Sequence, residues 1–163
     1  MIIDQPSTHL NFKILSSDGN EDNTSSIEIS KADEFIKSSS FGASIYFLGT
    51  VRNINQNKKV TGITYDVHEE MVLKSFAEIY KEANQKLRIE EKAVFIEHIK
   101  GYVGLGEISI IIAIACAHRD QAYVLSRFII EEIKKRSPIW KKEHYENDDS
   151  TWLKGNPIIN EKI

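Results

Sequence analysis

Apolar residues recur along the chain with two spacings, and the switch between them marks out the elements. From Ile27 to Ser40 the spacing of Ala32, Phe35 and Ile36 is helical, with Ser30 placed to cap and Asp33 and Glu34 in the first turn. Ala43 to Leu48 (ASIYFL) predicts a buried strand that ends at Gly49, where a tight turn follows. Thr61 to His68 alternates and puts Ile63, Tyr65 and Val67 on one face of a half-buried strand. Glu69 to Leu87 carries the clearest helical stripe, Val72, Phe76, Ile79, Ala83 and Leu87, with Lys74, Glu78, Lys81, Glu82 and Lys86 on the wet face. Ala93 to Ile99 predicts another strand and Gly101 to Gly106 (GYVGLG) a turn. Glu107 to Cys116 is almost continuously apolar and β-branched, so it predicts a central strand covered on both faces. Asp120 is placed to cap a helix from Gln121 to about Arg136, buried along Ala122, Leu125, Ile129 and Ile133 and stopped by Pro138.

Three stretches carry no period. Ser16 to Ser26 and Asn53 to Lys59 read as polar loops, and Lys141 to Ile163 as a polar tail anchored by Trp152 and Pro157. The order helix, strand, strand, helix, strand, strand, helix is not a strict alternation. It predicts an α+β fold, a mixed sheet with packed helices in one domain over residues 1–163, with no internal repeat.

Composition narrows the function. With 163 residues, 41% apolar and 28% charged, the chain is neither disordered, fibrous nor a disulfide-stapled miniprotein. A net charge of −3 argues against a generic nucleic-acid binder. The single cysteine, Cys116, forms no intramolecular disulfide and excludes a cysteine-based zinc site. Met1 to Phe12 lacks the pattern of a signal peptide, and the longest apolar stretch, Ile108 to Ala117, is too short to span a bilayer. The expectation is a cytoplasmic protein.

Three cationic clusters are candidates for chemistry. Lys134 to Lys142 holds five cations around Pro138 and Trp140. Such a run at a helix end commonly just complements the macrodipole, but Pro138 and Trp140 fix its path. A lysine held there, partly desolvated beside other cations, titrates low and can act as nucleophile or acid–base. Ala117-His118-Arg119-Asp120 stands where a strand passes into a helix, a place for an anion. Gly49-Thr50-Val51-Arg52-Asn53 also follows a strand end. Together they point to a pocket for a small anion, foremost a phosphate. Cys116 with His118 reads better as a buried thiol than as a nucleophilic pair, and His68, Glu69 and Glu70 better as an ordinary helix start. No Walker, Rossmann or HExxH motif is present.

On these residues the chain resembles the catalytic (large) subunit family of molybdopterin synthase. FLGTVRN (Phe47 to Asn53), VGLGE (Val103 to Glu107), AHR (Ala117 to Arg119), KKRSPIWKKE (Lys134 to Glu143) and Trp152 carry the likeness. It runs from about Ile27 to Trp152, leaving a variable N-terminal segment (1–26) and a tail (153–163) outside. The resemblance implies an α/β hammerhead and a sulfurtransferase of molybdenum cofactor biosynthesis that needs no metal or cofactor of its own. Sulfur would come from the Gly-Gly thiocarboxylate of a small ubiquitin-like subunit and go to cyclic pyranopterin monophosphate (precursor Z), forming the dithiolene. The large subunit would form a homodimer at the centre of a heterotetramer, with sites drawing on both copies. By motif position Lys134 and Lys141 would be catalytic, Lys134 as acid–base or transient acyl acceptor at the thiocarboxylate and Lys141 on the pterin side. Arg52, His118 and Arg119 would bind the substrate, with Thr50, Val51, Lys142 and Glu143 shaping the same site. The segment TYDVHEEM departs from the family, with His68 where an aromatic is common. The alternatives are a binding module that grips a ubiquitin-like tail without chemistry and a weak RNA binder.

Overall fold

The computed structural model describes residues 9–18, 26–147 and 150–153. In chain order the elements are β1 (His9–Ser17), α1 (Ile29–Ile36), β2 (Ala43–Thr50), β3 (Ile54–Asn55), β4 (Lys58–Val67) and α2 (Glu69–Leu87), then β5 (Lys92–Gly104), β6 (Ile108–Cys116), α3 (Arg119–Arg136), β7 (Ile139–Tyr145) and β8 (Ser150–Trp152). One mixed sheet runs β2-β6-β5-β4-β7-β8, with β1 added to β5 and β3 to β4. All pairs are antiparallel except β1 with β5, which is parallel. The fold is α+β, as the element order implied.

The central strand has two faces because its side chains alternate between two cores. Ile110, Ile112, Ile114 and Cys116 join the stripes of α2 and α3, among them Val72, Phe76, Ile79, Leu125, Ile129 and Ile133. Ile111, Ala113 and Ala115 face the other way, toward Ala32 and Ile36 of α1. The sheet is thus a middle layer, with α2 and α3 on one face and α1 on the other. Fully burying one such isoleucine contributes on the order of 2 kcal/mol.

Several local expectations change. The helix after residue 26 is capped at Glu28 without a side-chain bond, Ser30 lies inside it, and no acidic residue falls in its first turn. α2 begins as expected, with Glu69 and Glu70 in its first turn, and His68 takes the cap position, its Nδ1 accepting from the Met71 N–H at 3.5 Å. α3 starts two residues early, with His118 at the cap position and Asp120 in the first turn. GYVGLG is mostly strand: β5 continues to Gly104. Gly101 permits this, since its φ of +109° is open to glycine and a side chain there would strike the Ser17 carbonyl. The 53–59 stretch is a hairpin rather than an open loop. Ile54 and Asn55 align with Lys59 and Lys58, and Gln56 and Asn57 turn the chain with φ of 47° and 62°. The N-terminal segment read as variable and outside the family likeness supplies β1, and Lys141 begins no tail but sits in β7, which pairs with β4. Pro157 lies outside the described residues.

Candidate active site

A cleft of about 570 Å³ opens where the end of β2, the β3–β4 hairpin, the end of α3 and the start of β7 meet. Its size suits a small organic ligand. Phe47, Ile110, Ile130 and Ile133 give it an apolar wall, while Arg52, Lys134 and Lys141 stand around the opening. All three cations are exposed, so burial desolvates neither lysine within the single chain.

The five cations after Ile133 divide by what surrounds them. Lys135 Nζ lies 3.2 Å from Glu132, and Arg136 is 2.7 Å from Glu82 on α2 and 3.5 Å from Glu132. These pairs hold Arg136 above and Glu82 below their ordinary pKa values, through the hydrogen bond between them. Lys142 projects from the other side of β7 from Lys141 and lies 5.8 Å over the Trp152 ring. Lys134 and Lys141 have no ion pair among the described residues, and both line the cleft. Two free ammonium groups on one opening can bind an anion or exchange protons with it.

Glu143 shares the Lys141 side of β7 and is 3% exposed. Asn55 Nδ2 donates to its two oxygens at 3.0 and 2.9 Å, and the Tyr145 hydroxyl donates at 2.7 Å. The carboxylate pushes the Tyr145 hydroxyl up. Glu143 therefore ties the β3–β4 hairpin to β7 and lines the cleft with both of its oxygens already accepting hydrogen bonds. Burial, above all, also pushes Tyr65 up, against a hydrogen bond with Ser109 and with the charge of Glu143.

Thr50 and Gly49 line the cleft, but Val51 does not. Its side chain is in the α1-side core, and its backbone closes the turn by bonds from Val51 N to Glu107 O (3.2 Å) and Gly106 N to Val51 O (2.9 Å). Gly49 is needed for space rather than for turning. A Cβ there would lie 2.6 Å from Ile110 Cγ2, at the register shift between Gly49 and Thr50. Asn55, Tyr65 and His98 line the cleft without a motif to announce them; Tyr65 alone had a signal, its place on the buried face of a predicted strand.

His118 and Arg119 are not in this cleft. They stand at the start of α3, and Lys134 is near its end, about 22 Å along the axis. His118 makes no side-chain cap, and Arg119 sits in the first turn, where a cation opposes the dipole. His68 is at the start of α2 and does not line the cleft either. Cys116 is wholly buried, and burial pushes its thiol up to about 11 against the opposing charge of Lys92. Among the described residues no group of three His, Cys, Asp or Glu could hold a metal ion, and no helix is long and apolar enough to cross a membrane.

Comparison with known proteins adds to the geometry. The profile of the MoaE protein family matches residues 23–136. The molybdopterin synthase catalytic subunit of Synechococcus elongatus is 38% identical over 136 residues, covering 83% of this chain and 82% of its own. That of Thermoplasma volcanium is 40% identical over 111 residues, 68% and 80%. The crystal structure of molybdopterin synthase from Staphylococcus aureus superposes with a TM-score of 0.74 at 30% identity, covering 85% of this chain and 95% of the other. A complex of subunits 1 and 2 of the molybdopterin-converting factor from Helicobacter pylori shares the fold, with a TM-score of 0.65 at 23% identity, covering 89% and 90%.

Proposed function

The chain belongs to the MoaE protein family, and from that premise we propose that it is the catalytic subunit of a molybdopterin synthase, a sulfurtransferase of molybdenum cofactor biosynthesis. The carrying observation is that Arg52, distant in sequence from Lys134 and Lys141, lines one cleft with them, and among the described residues neither lysine has an ion pair. The substrate is cyclic pyranopterin monophosphate, an organic ring with a phosphate. The apolar wall suits the ring and the cations suit the phosphate. The sulfur donor is the thiocarboxylate on the C-terminal tail of a small ubiquitin-like subunit. Lys134 works at that thiocarboxylate, as acid–base or transient acyl acceptor, and Lys141 works on the pterin side. The only cysteine is buried with a raised pKa, which supports sulfur arriving from outside the chain. The single free cysteine also fits a reducing cytoplasm.

The site is composite. His118 and Arg119 lie too far from the cleft to serve it within one chain, yet neither stabilises its own helix. Supplied by a second copy, they complete the anion site of its neighbour. Two large subunits then stand between two small ones in a heterotetramer.

Reconstitution tests the reading. The chain is mixed with a thiocarboxylated small subunit and cyclic pyranopterin monophosphate, and the product is oxidised to its fluorescent derivative. Turnover is expected, with a loss of about 100-fold or more in Lys134→Ala at nearly unchanged melting temperature, since Lys134 is exposed. A formed complex without product would favour the tail-binding module instead.

A further inference from the structure

One polar side chain at the buried end of the cleft has no part in the chemistry above. His98 of β5 is 5% exposed and meets the Tyr65 ring edge-on at 5.0 Å between centroids. Its Nδ1 lies 2.7 Å from the carbonyl oxygen of Ile99. A carbonyl only accepts, so Nδ1 carries the proton. Burial pushes the imidazole down to about 4, with the Ile99 bond opposing, so the ring is neutral at physiological pH and Nε2 is a bare lone pair. Nε2 has no protein donor among the described residues. Nor is it among the sealed, unpartnered side-chain atoms, which are Asn11 Nδ2, Asn84 Oδ1 and Gln121 Oε1. It opens on the cleft that His98 lines.

This makes Nε2 a vacant acceptor in a cleft whose free charged groups are all donors. Arg52, Lys134 and Lys141 only donate, and both oxygens of the Glu143 carboxylate already accept from Asn55 or Tyr145. The cyclic phosphate of the proposed substrate is an ionised diester and has no proton to offer Nε2. An aminopyrimidinone ring has several N–H groups along one edge.

We propose that His98 Nε2 accepts a hydrogen bond from an N–H of the substrate's heterocycle, seating that ring at the buried end and leaving its phosphate among the cations at the opening. His98 is then a specificity-determining residue. The inference rests on the reaction proposed above, because that reaction supplies the heterocycle.

The reconstituted complex tests it with two variants and two competitors. His98→Asn keeps a donor for the Ile99 carbonyl and removes the acceptor; His98→Gln restores an amide oxygen near Nε2. Expected is a rise in KM for cyclic pyranopterin monophosphate of about tenfold in His98→Asn with kcat little changed, partly recovered in His98→Gln. Independently of any variant, pterin should compete for the wild-type site, and dimethyllumazine, whose ring nitrogens carry no proton, should compete at least about tenfold more weakly. Equal competition by the two, a KM within twofold of wild type in His98→Asn, or a defect confined to affinity for the small subunit would each overturn the proposal. If the wild-type complex makes no product at all, the reaction itself is wrong, and that outcome is separate from these.

Discussion

Lys92 and Cys116 face each other across β5 and β6, and the lysine's ammonium is spent on the Ile89 carbonyl and the Tyr80 ring. The thiol beside it is buried and pushed up to about 11, so almost no thiolate exists at neutral pH. Native protein at pH 7.5 should resist iodoacetamide and label fully only in denaturant. Cys116→Ala should keep sulfur transfer while losing about 1–2 kcal/mol of stability. Rapid labelling of the native chain, or lost turnover at retained fold, would contradict this. At this scale the sequence was informative about residue type and poor about circumstance. The run from Lys134 to Lys142 showed where cations gather. It could not show that Arg136 is taken by Glu82, because Glu82 comes from another helix, nor that Val51 and Lys142 turn away from the cleft. His98 carried no signal, since its surroundings arise only when β4, β6 and α3 assemble.

The β3–β4 hairpin is the element on which the opening depends. It places Asn55 against Glu143, and its turn needs two left-handed residues. Asn57→Val, a branched side chain at φ of 62°, should cost about 1–3 kcal/mol and raise KM by loosening Asn55; Asn57→Gly should be close to neutral. Thermal melting with steady-state kinetics checks both, and equal behaviour of the two variants would refute the turn argument. Long periodic elements, α2, α3 and β6, were legible because each buries a continuous stripe or both faces. The strands that were missed are short or only partly buried. β1 begins with exposed residues, β7 presents Trp140 and Lys141 to solvent, and β3 has two residues. Their pairing comes from neighbours distant in sequence, which local pattern does not record.

For the whole molecule, His98 imposes a pH dependence. Its folded pKa of about 4 lies below the unfolded value near 6.5. Above pH 6.5 both states are neutral and nothing is lost. As pH falls toward 4 the unfolded chain takes a proton that the folded one refuses, so stability declines, by about 2 kcal/mol at pH 5. Glu97, raised by burial, binds its proton more readily when folded and offsets part of this in acid. The titratable groups that line the cleft with His98, namely Arg52, Tyr65, Lys134, Lys141 and Glu143, are common to wild type and variant. Urea midpoints at pH 7 and pH 5 should therefore differ less in His98→Gln than in wild type. The composite site makes a second prediction at this scale. Lys134→Ala and Arg119→Ala should each be inactive alone. Mixed, unfolded and refolded together, they should recover about a quarter of wild-type activity, because half of the randomly formed dimers carry one intact site of two. Full activity of Arg119→Ala alone would place that residue outside the reaction, and no recovery on mixing would rule out a site shared between two copies.

The parallel pairing of β1 with β5 has a consequence for synthesis. Leu10 aligns with Val94, so β1 leaves the ribosome well before its partner and stays unpaired until β5 has followed. The antiparallel β5–β6 pair forms between segments joined by only a short turn, and β1 can be added afterwards. β1 should therefore be the last part of the sheet whose amides gain protection from hydrogen exchange during refolding. Until then the nascent chain carries Leu10, Phe12 and Ile14 unpaired, a stretch on which chaperones can act.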